Sequence, residues 1–330
     1  MRRRQFMEIT AATLAAGVVG ACASGAARRR SAAGATGSTP ATPLDAAAFR
    51  ATRQFAELAF GKIAYLERGA GDAAVFLHGS PLNSFQWRGA IERLSAHRRC
   101  VAPDFMGLGY SEIPEHQSVA ADAQVAMVAA LLDKLGIGKI DLVASDSGGA
   151  VAQLFMVRYP ARVRTVVLTN CDTEPDSPPA GVMPVIEMAR AGTLAGGLVT
   201  WLADKALARA QFGTAVYGDP SHLTDEMIEY YWSPIVSSPV RRAQYHAYHV
   251  AFVPNPLAGI EAALKRSTVP TRIVWGSRDT IFSAASPAYL DRTLGRSQGI
   301  RRVPEGNLFF QEEYPDVIAE EARRLWGVTA

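Results

Sequence analysis

The stretch Lys-Ile-Asp-Leu-Val-Ala-Ser-Asp-Ser-Gly-Gly at residues 139–149 constrains the fold of this chain more than any other. Its short apolar run, 140–144, closes on two glycines, and a helical pattern follows over 150–158 and stops before Tyr159-Pro160. That order predicts a buried strand, a tight turn and a helix. The small residues Ala144, Gly148 and Gly149 flank one polar side chain, as a sharp elbow that lifts a nucleophile clear of a sheet requires. Two registers are open. The spacing of the small residues puts Asp146 at the tip, whereas a looser Ser-x-Ser-x-Gly pattern over 145–149 puts Ser147 there. Strand length favours Asp146: residues 140–145 already fill a buried strand, and the paired glycines belong directly after the residue that follows the nucleophile. Taken alone, the motif also fits a solvated turn in which Asp146 caps the helix.

A chain of 330 residues, 48% hydrophobic and 20% charged, fits one large domain or one domain carrying an insertion. The formal charge of +3 carries no nucleic-acid footprint, because several arginines stand in Arg2-Arg3-Arg4 and Arg28-Arg29-Arg30, outside the part expected to fold. Residues 54–60 and 62–67 alternate apolar with polar around Gly61 and predict an edge hairpin. Continuous apolar runs at 73–77, 99–102, 164–169 and 271–275 predict strands buried on both faces. Helical periodicity covers 118–135, and a last strand at 299–303 precedes a closing helix at 316–326. The alternation predicts an α/β fold with a mostly parallel central sheet covered by helices on both faces. The interval 172–256 breaks this pattern and holds helix-like runs only. It is expected to form a helical cap over the ligand crevice, dividing the core into 51–171 and 257–330.

Residues 1–22 carry a charged front, Arg2-Arg3-Arg4-Gln5-Phe6-Met7, and then an Ala- and Gly-rich apolar run. This predicts a twin-arginine export signal, whose apolar run is too short to span a membrane. Val19-Gly20-Ala21-Cys22 has a lipobox pattern that would make Cys22 a lipidated N-terminus, while Ala21-Cys22-Ala23 also fits ordinary cleavage. The expectation is a periplasmic protein or a membrane-anchored lipoprotein, touching membrane only through a lipid on Cys22. Residues 23–50, nearly free of large apolar side chains, are expected to be a disordered tether. Cys100 and Cys171 begin or end buried strands rather than loops and are expected to be packed thiols, although an exported protein could join them.

Five further motifs occur in order along the chain. His78-Gly79-Ser80-Pro81 is followed by Asn83-Ser84-Phe85-Gln86-Trp87-Arg88, then Pro103-Asp104 with Gly107 and Gly109, the elbow, Trp275-Gly276 with Asp279, and Gln311-Glu312-Glu313. From about residue 55 onward the chain resembles α/β-hydrolase-fold proteins of the haloalkane dehalogenase and epoxide hydrolase branch. The motifs are highly specific for that fold and less so for the reaction. The resemblance implies a carboxylate that attacks a saturated carbon, displaces a halide or opens an epoxide, and leaves an ester that a histidine-activated water hydrolyses. It makes Asp146 the nucleophile towards a small apolar organic substrate and Asp279 the acid that orients the histidine. The backbone N–H groups of Ser80 and Ser147 would form the donor pair at the oxyanion or leaving-group site. No cofactor, metal or nucleic-acid partner is implied.

Three positions depart from that pattern. Many such dehalogenases hold the halide with Trp after the nucleophile and Asn after the His-Gly, where this chain has Ser147 and Ser80. The catalytic histidine is expected three residues before Gln311, where Leu308 stands, and no histidine follows His249. Without a base the ester should persist. His246 and His249, three apart on a predicted cap helix, are the alternative bases, against the plainer reading of a partly exposed helix surface. No Cys, His or carboxylate partners complete a metal site around them. His78 is expected to support the loop that donates the N–H, and His97, His116 and His222 to lie on the surface. The cap tyrosines Tyr217, Tyr230, Tyr231, Tyr245 and Tyr248 keep epoxide opening in view, through proton donation to the departing oxygen. Two rivals stand beside an Asp146 hydrolase. One is an impaired or non-hydrolytic member that binds a small molecule or acts as a lyase or isomerase. The other is an esterase built on Ser147 or Ser145.

Overall fold

The computed structural model describes residues 45–329. The expected export signal, Cys22 and most of the expected tether lie outside the described residues. The end of that tether is corrected: Asp45 caps a helix, Ala46–Ala51, by accepting the N–H of Ala48 at 2.7 Å. Phe49 of this helix is buried edge-on against Phe85 and Tyr230. One phenylalanine among alanines leaves almost no periodic signal, and its burial site comes from distant parts of the chain.

Eight strands form one sheet in the order β1-β2-β4-β3-β5-β6-β7-β8. They are β1 (Arg53–Leu58), β2 (Gly61–Arg68), β3 (Ala73–Leu77), β4 (Arg99–Pro103), β5 (Ile140–Asp146), β6 (Val163–Cys171), β7 (Thr271–Gly276) and β8 (Ser297–Val303). The β1/β2 and β2/β4 pairs are antiparallel, and the remaining neighbours are parallel. Central strand β3 is buried along its whole length, and β5 up to Asp146, which is why both read as unbroken apolar runs. The edge strands β1 and β8 keep exposed positions. Cys100 and Cys171 are buried and unbridged.

The elbow helix, Ser147–Arg158, starts directly after Asp146, so Gly148 and Gly149 belong to its first turn rather than to a preceding loop. A β-carbon at Gly148 would lie 2.5 Å from the His78 carbonyl oxygen, and one at Gly149 would overlap Cys171. Glycine is needed there so that the helix start can press against β3 and β6.

Between β6 and β7 run the helices Met183–Arg190, Leu194–Ala203, Asp225–Val236 and Pro239–Val250. The helix Leu194–Ala203 stops at Asp204, whose carboxylate caps the next short helix through Leu207 N–H at 2.9 Å, and a π-helical turn, Arg209–Gly213, follows. The C-terminal tail fastens this insertion to the core. Glu312 accepts the hydroxyls of Tyr217 at 2.6 Å and Tyr231 at 2.7 Å and pairs with Arg88. Glu313 accepts the N–H groups of Gly218 and Asp219, each at 2.9 Å. The helix Pro239–Val250 is held from the other side, where Arg241 donates to the carbonyls of Leu108, Gly109 and Ser111 at 3.0, 2.6 and 2.7 Å.

Candidate active site

Asp146 is the last residue of β5 and, among the described residues, the single non-glycine residue with positive φ, 55°. Such a backbone stores about 1–3 kcal/mol and persists where the surroundings over-determine it. Here the glycine-started helix and the parallel neighbours of β5 do so. Ser145, one residue earlier, is buried and accepts Gln311 Nε2 at 2.9 Å, so the strand alternation turns it inward. The Oδ1 of Asp146 accepts the Ser80 N–H at 2.9 Å, and the N–H and hydroxyl of Ser147 also donate to the carboxylate. The Ser80 N–H, one of the donor pair expected from sequence, is thus occupied by the carboxylate's own oxygen. Gly79 permits that approach, since a β-carbon there would lie 2.8 Å from Oδ1. Burial pushes the Asp146 carboxyl above the ordinary aspartate range, against the lowering pull of the Ser147 and Ser80 donors.

The loop bearing Ser80 is held by buried hydrogen bonds. His78 Nε2 accepts the Phe105 N–H at 2.9 Å, so the proton sits on Nδ1 and faces the Gly79 carbonyl at 2.8 Å. Both ring nitrogens are used, which fits the supporting role expected of His78. Gln86 accepts the Gly79 N–H at 2.8 Å, and Asp104 accepts the N–H groups of Ser84 at 2.9 Å and Tyr110 at 2.8 Å. The motifs before the elbow are therefore scaffold for one N–H donor.

The cap helix Pro239–Val250 presents Tyr245, Tyr248 and His249 on one buried face, at i, i+3 and i+4. His249 Nδ1 lies 3.0 Å from the Tyr245 carbonyl, which only accepts, so that nitrogen carries the proton. The bare Nε2 lies 3.1 Å from Ser80 Oγ. Burial pulls the His249 pKa down to about 4, which keeps the ring neutral at pH 7. The expectation that one helix face presents both His246 and His249 is corrected. His246 points elsewhere and accepts the Ala195 N–H at 3.0 Å, at the start of the helix Leu194–Ala203. Of the five cap tyrosines, Tyr217 and Tyr231 are spent on Glu312 and Tyr230 on Arg53. Tyr248 reaches the elbow, its hydroxyl 2.9 Å from Ser147 Oγ. The Ser147 hydroxyl is thus paired with a phenol rather than an imidazole.

Asp279 follows β7 and accepts Asn170 Nδ2 at 2.7 Å and the Ile281 N–H at 2.8 Å. Burial, with a smaller push from the Asp146 charge, raises its pKa to about 6. Leu308 is buried, and Asp279 is oriented by Asn170 instead of orienting an imidazole. Of the three histidines expected on the surface, His116 is exposed, but His222 is half-buried against the Tyr217 ring and His97 is also half-buried. Asn170 and Asp172, at and just beyond the end of β6, escaped the sequence reading. Their signal was position: polar side chains at the carboxyl end of a parallel strand, where ligand crevices open. Asp172 is buried, and burial first, then the Asp146 charge, raises its pKa well above the ordinary range. It lines a narrow, partly open cavity with Ser147, Tyr248, Val119, Val151 and Phe252. Among the described residues no cluster of His, Cys, Asp and Glu is arranged to hold a metal ion.

Comparison with known proteins agrees with this architecture. Residues 73–314 match the family model of the alpha/beta hydrolase fold. Haloalkane dehalogenase 2 of Mycobacterium bovis is 28% identical over 285 residues, covering 81% of this chain and 92% of that protein. A 2-hydroxy-6-oxo-2,4-heptadienoate hydrolase of Pseudomonas putida is 39% identical over 103 residues, 30% of this chain and little over a third (37%) of that protein. The structure of the epoxide hydrolase CorEH without ligand superposes with a TM-score of 0.70 at 20% identity, covering 84% of this chain and 98% of the other, a likeness of fold. With a matched family model over most of its length and a strained Asp146 elbow at the head of a parallel strand, the chain belongs to the α/β hydrolase fold family.

Proposed function

We propose that this chain is a hydrolase of the haloalkane dehalogenase and epoxide hydrolase type. Asp146 attacks a saturated carbon of a small apolar organic substrate, and His249 supplies the base missing at position 308. One observation carries this reading: Asp146 Oδ1 sits on the N–H of Ser80, with Ser147 donating beside it. That seat leaves the second carboxylate oxygen for attack. Once the ester forms, its carbonyl oxygen already lies where negative charge develops as water adds. A serine esterase needs the same seat for the substrate's own carbonyl. His249 offers a neutral imidazole whose unprotonated Nε2 faces the Ser80 hydroxyl, so it can activate a water once that hydroxyl turns away or relays the proton. Export by the twin-arginine route, with Cys22 as a lipid anchor, belongs to the same proposal.

The test is intact-mass spectrometry of the purified protein after incubation with haloalkanes, epoxides and activated esters, with product analysis alongside. The wild type is expected to turn over a haloalkane or epoxide. His249→Phe is expected to accumulate an adduct that maps to Asp146, and Asp146→Asn to form neither adduct nor product. Activity surviving in Asp146→Asn, or an adduct on Ser147, refutes the carboxylate mechanism. An adduct that persists in the wild type keeps Asp146 as nucleophile, removes His249 as base and supports the impaired rival.

A further inference from the structure

We propose that Asp172 is a further catalytic residue of this site, a carboxylic acid that protonates the oxygen released when Asp146 opens a strained cyclic ether. The inference rests on the reading of Asp146 as nucleophile and names the substrate class that the site is built to take.

Position comes first. In the sheet Asp146 is registered against Cys171, so the next residue, Asp172, emerges beside the elbow at the same carboxyl end. Asp172 lines the cavity that Ser147 and Tyr248 also line. Polar groups therefore meet a mostly apolar wall, broken otherwise only by Gln124, next to the elbow. Protonation state comes second. Asp172 is buried, is hydrogen-bonded by the Ser177 hydroxyl, and feels the carboxylates of Asp146 and Asp176. Among the described residues it forms no ion pair with lysine or arginine, and the Ser177 hydroxyl and a backbone N–H, which favour the charged form, are outweighed by burial and the Asp146 charge. A buried carboxyl pushed towards its neutral form beside a cavity is placed to donate a proton.

Leaving-group chemistry decides what the proton is for. A halide departs as a stable anion and is served by fixed N–H or O–H donors, whereas a ring-opened oxygen departs as a strongly basic alkoxide. Here the hydroxyls at the two halide-holding positions are already engaged, Ser80 with His249 and Ser147 with Tyr248. In the proposed step an Asp146 oxygen forms a bond to the ring carbon as the ring C–O bond breaks. The electron pair goes to the ring oxygen, which takes the Asp172 proton and becomes a hydroxyl. Water then adds to the Asp146 ester, a second hydroxyl leaves on the product, and the proton released on regenerating the Asp146 carboxylate returns to Asp172. One water is consumed and one diol formed.

The experiment compares Asp172→Asn with its parent in the His249→Phe background, following alkylation of Asp146 by intact mass with hexene oxide and with hexyl bromide. The substitution is expected to lower the ratio of the epoxide rate to the bromide rate by about a hundredfold or more, the usual worth of a positioned acid. An unchanged ratio, whether both rates fall or neither does, overturns the proposal, as does alkylation of the parent by the bromide alone. No adduct from either reagent in the parent sinks the Asp146 reading itself. Infrared difference spectra of wild type against Asp172→Asn at pH 7 then judge Asp172 separately. The carbonyl stretch of a neutral carboxylic acid, lost on substitution, is expected, and its absence overturns the acid role.

Discussion

Removing Glu312 tests whether the cap is held to the core as the geometry indicates. In Glu312→Ala the acceptor of Tyr217 at 2.6 Å and Tyr231 at 2.7 Å disappears together with the partner of Arg88. The Glu312 side chain is 0% exposed and that of Arg88 18% exposed, so water cannot readily replace what is lost. Burial pulls the Arg88 pKa down, and Glu312 more than offsets this; a guanidinium is not deprotonated in a protein, so Arg88 stays charged when its partner goes. Removing one member of a buried pair is worth about 3–5 kcal/mol of stability. Two phenols left without an acceptor would add about 1–3 kcal/mol each if nothing relaxed. Partial relaxation of contacting groups brings the expected loss to about 4–6 kcal/mol, a large share of a domain's typical stability. Urea unfolding followed by tryptophan fluorescence and circular dichroism measures it, with a shifted midpoint at unchanged slope. Arg88→Met should then be far less damaging in the Glu312→Ala background than in the wild type. A loss below about 1 kcal/mol, the worth of an exposed pair, with additive double-variant effects would refute the clamp.

Gly79→Ala is expected to abolish turnover while the protein stays folded, because the new β-carbon would lie 2.8 Å from Asp146 Oδ1; a normal kcat measured by product release contradicts that packing. His246→Gln, on the helix face away from the elbow, should leave turnover intact where His249→Phe loses about 100- to 10,000-fold, and equal losses in the two variants would deny His249 its special place. Asp279 titrates near about 6 in the folded chain against about 3.9 unfolded. The folded state therefore binds more protons between those values, and stability falls as pH rises through that window before levelling off. Allowing for partial exposure the fall is about 2 kcal/mol, and Asp279→Asn should shrink it in urea unfolding at pH 4.5 and pH 7; identical slopes would refute the raised pKa. Cys22→Ser should move the protein from the membrane fraction to the soluble fraction of its native host, and an unchanged distribution would remove the lipid anchor.

What the sequence determined by itself was the sheet and the position of its elbow. Strands buried on both faces must be apolar throughout, so β3, β5, β6 and β7 were legible within a residue or two, and the elbow was legible because a positive φ crowded by two strands demands small neighbours around Asp146. The helix Ala46–Ala51 was not legible, because its stability comes from seating Phe49 against Phe85 and Tyr230 rather than from its own pattern. Only the tertiary structure could show which of the two cap histidines faces the Ser80 loop. Residues 246 and 249 both fit a helix face in sequence, but the direction of that face was set by Arg241 docking on the 108–111 carbonyls. Only it could show that Gln311, Glu312 and Glu313 serve as fasteners for Ser145 and the cap, or that Asp172 shares a cavity with Ser147 and Tyr248. The division has one physical cause: local sequence sets which residues are buried and which backbone shapes are allowed, whereas the partners of a polar side chain come from segments about a hundred residues away, whose approach is set by packing of the whole chain.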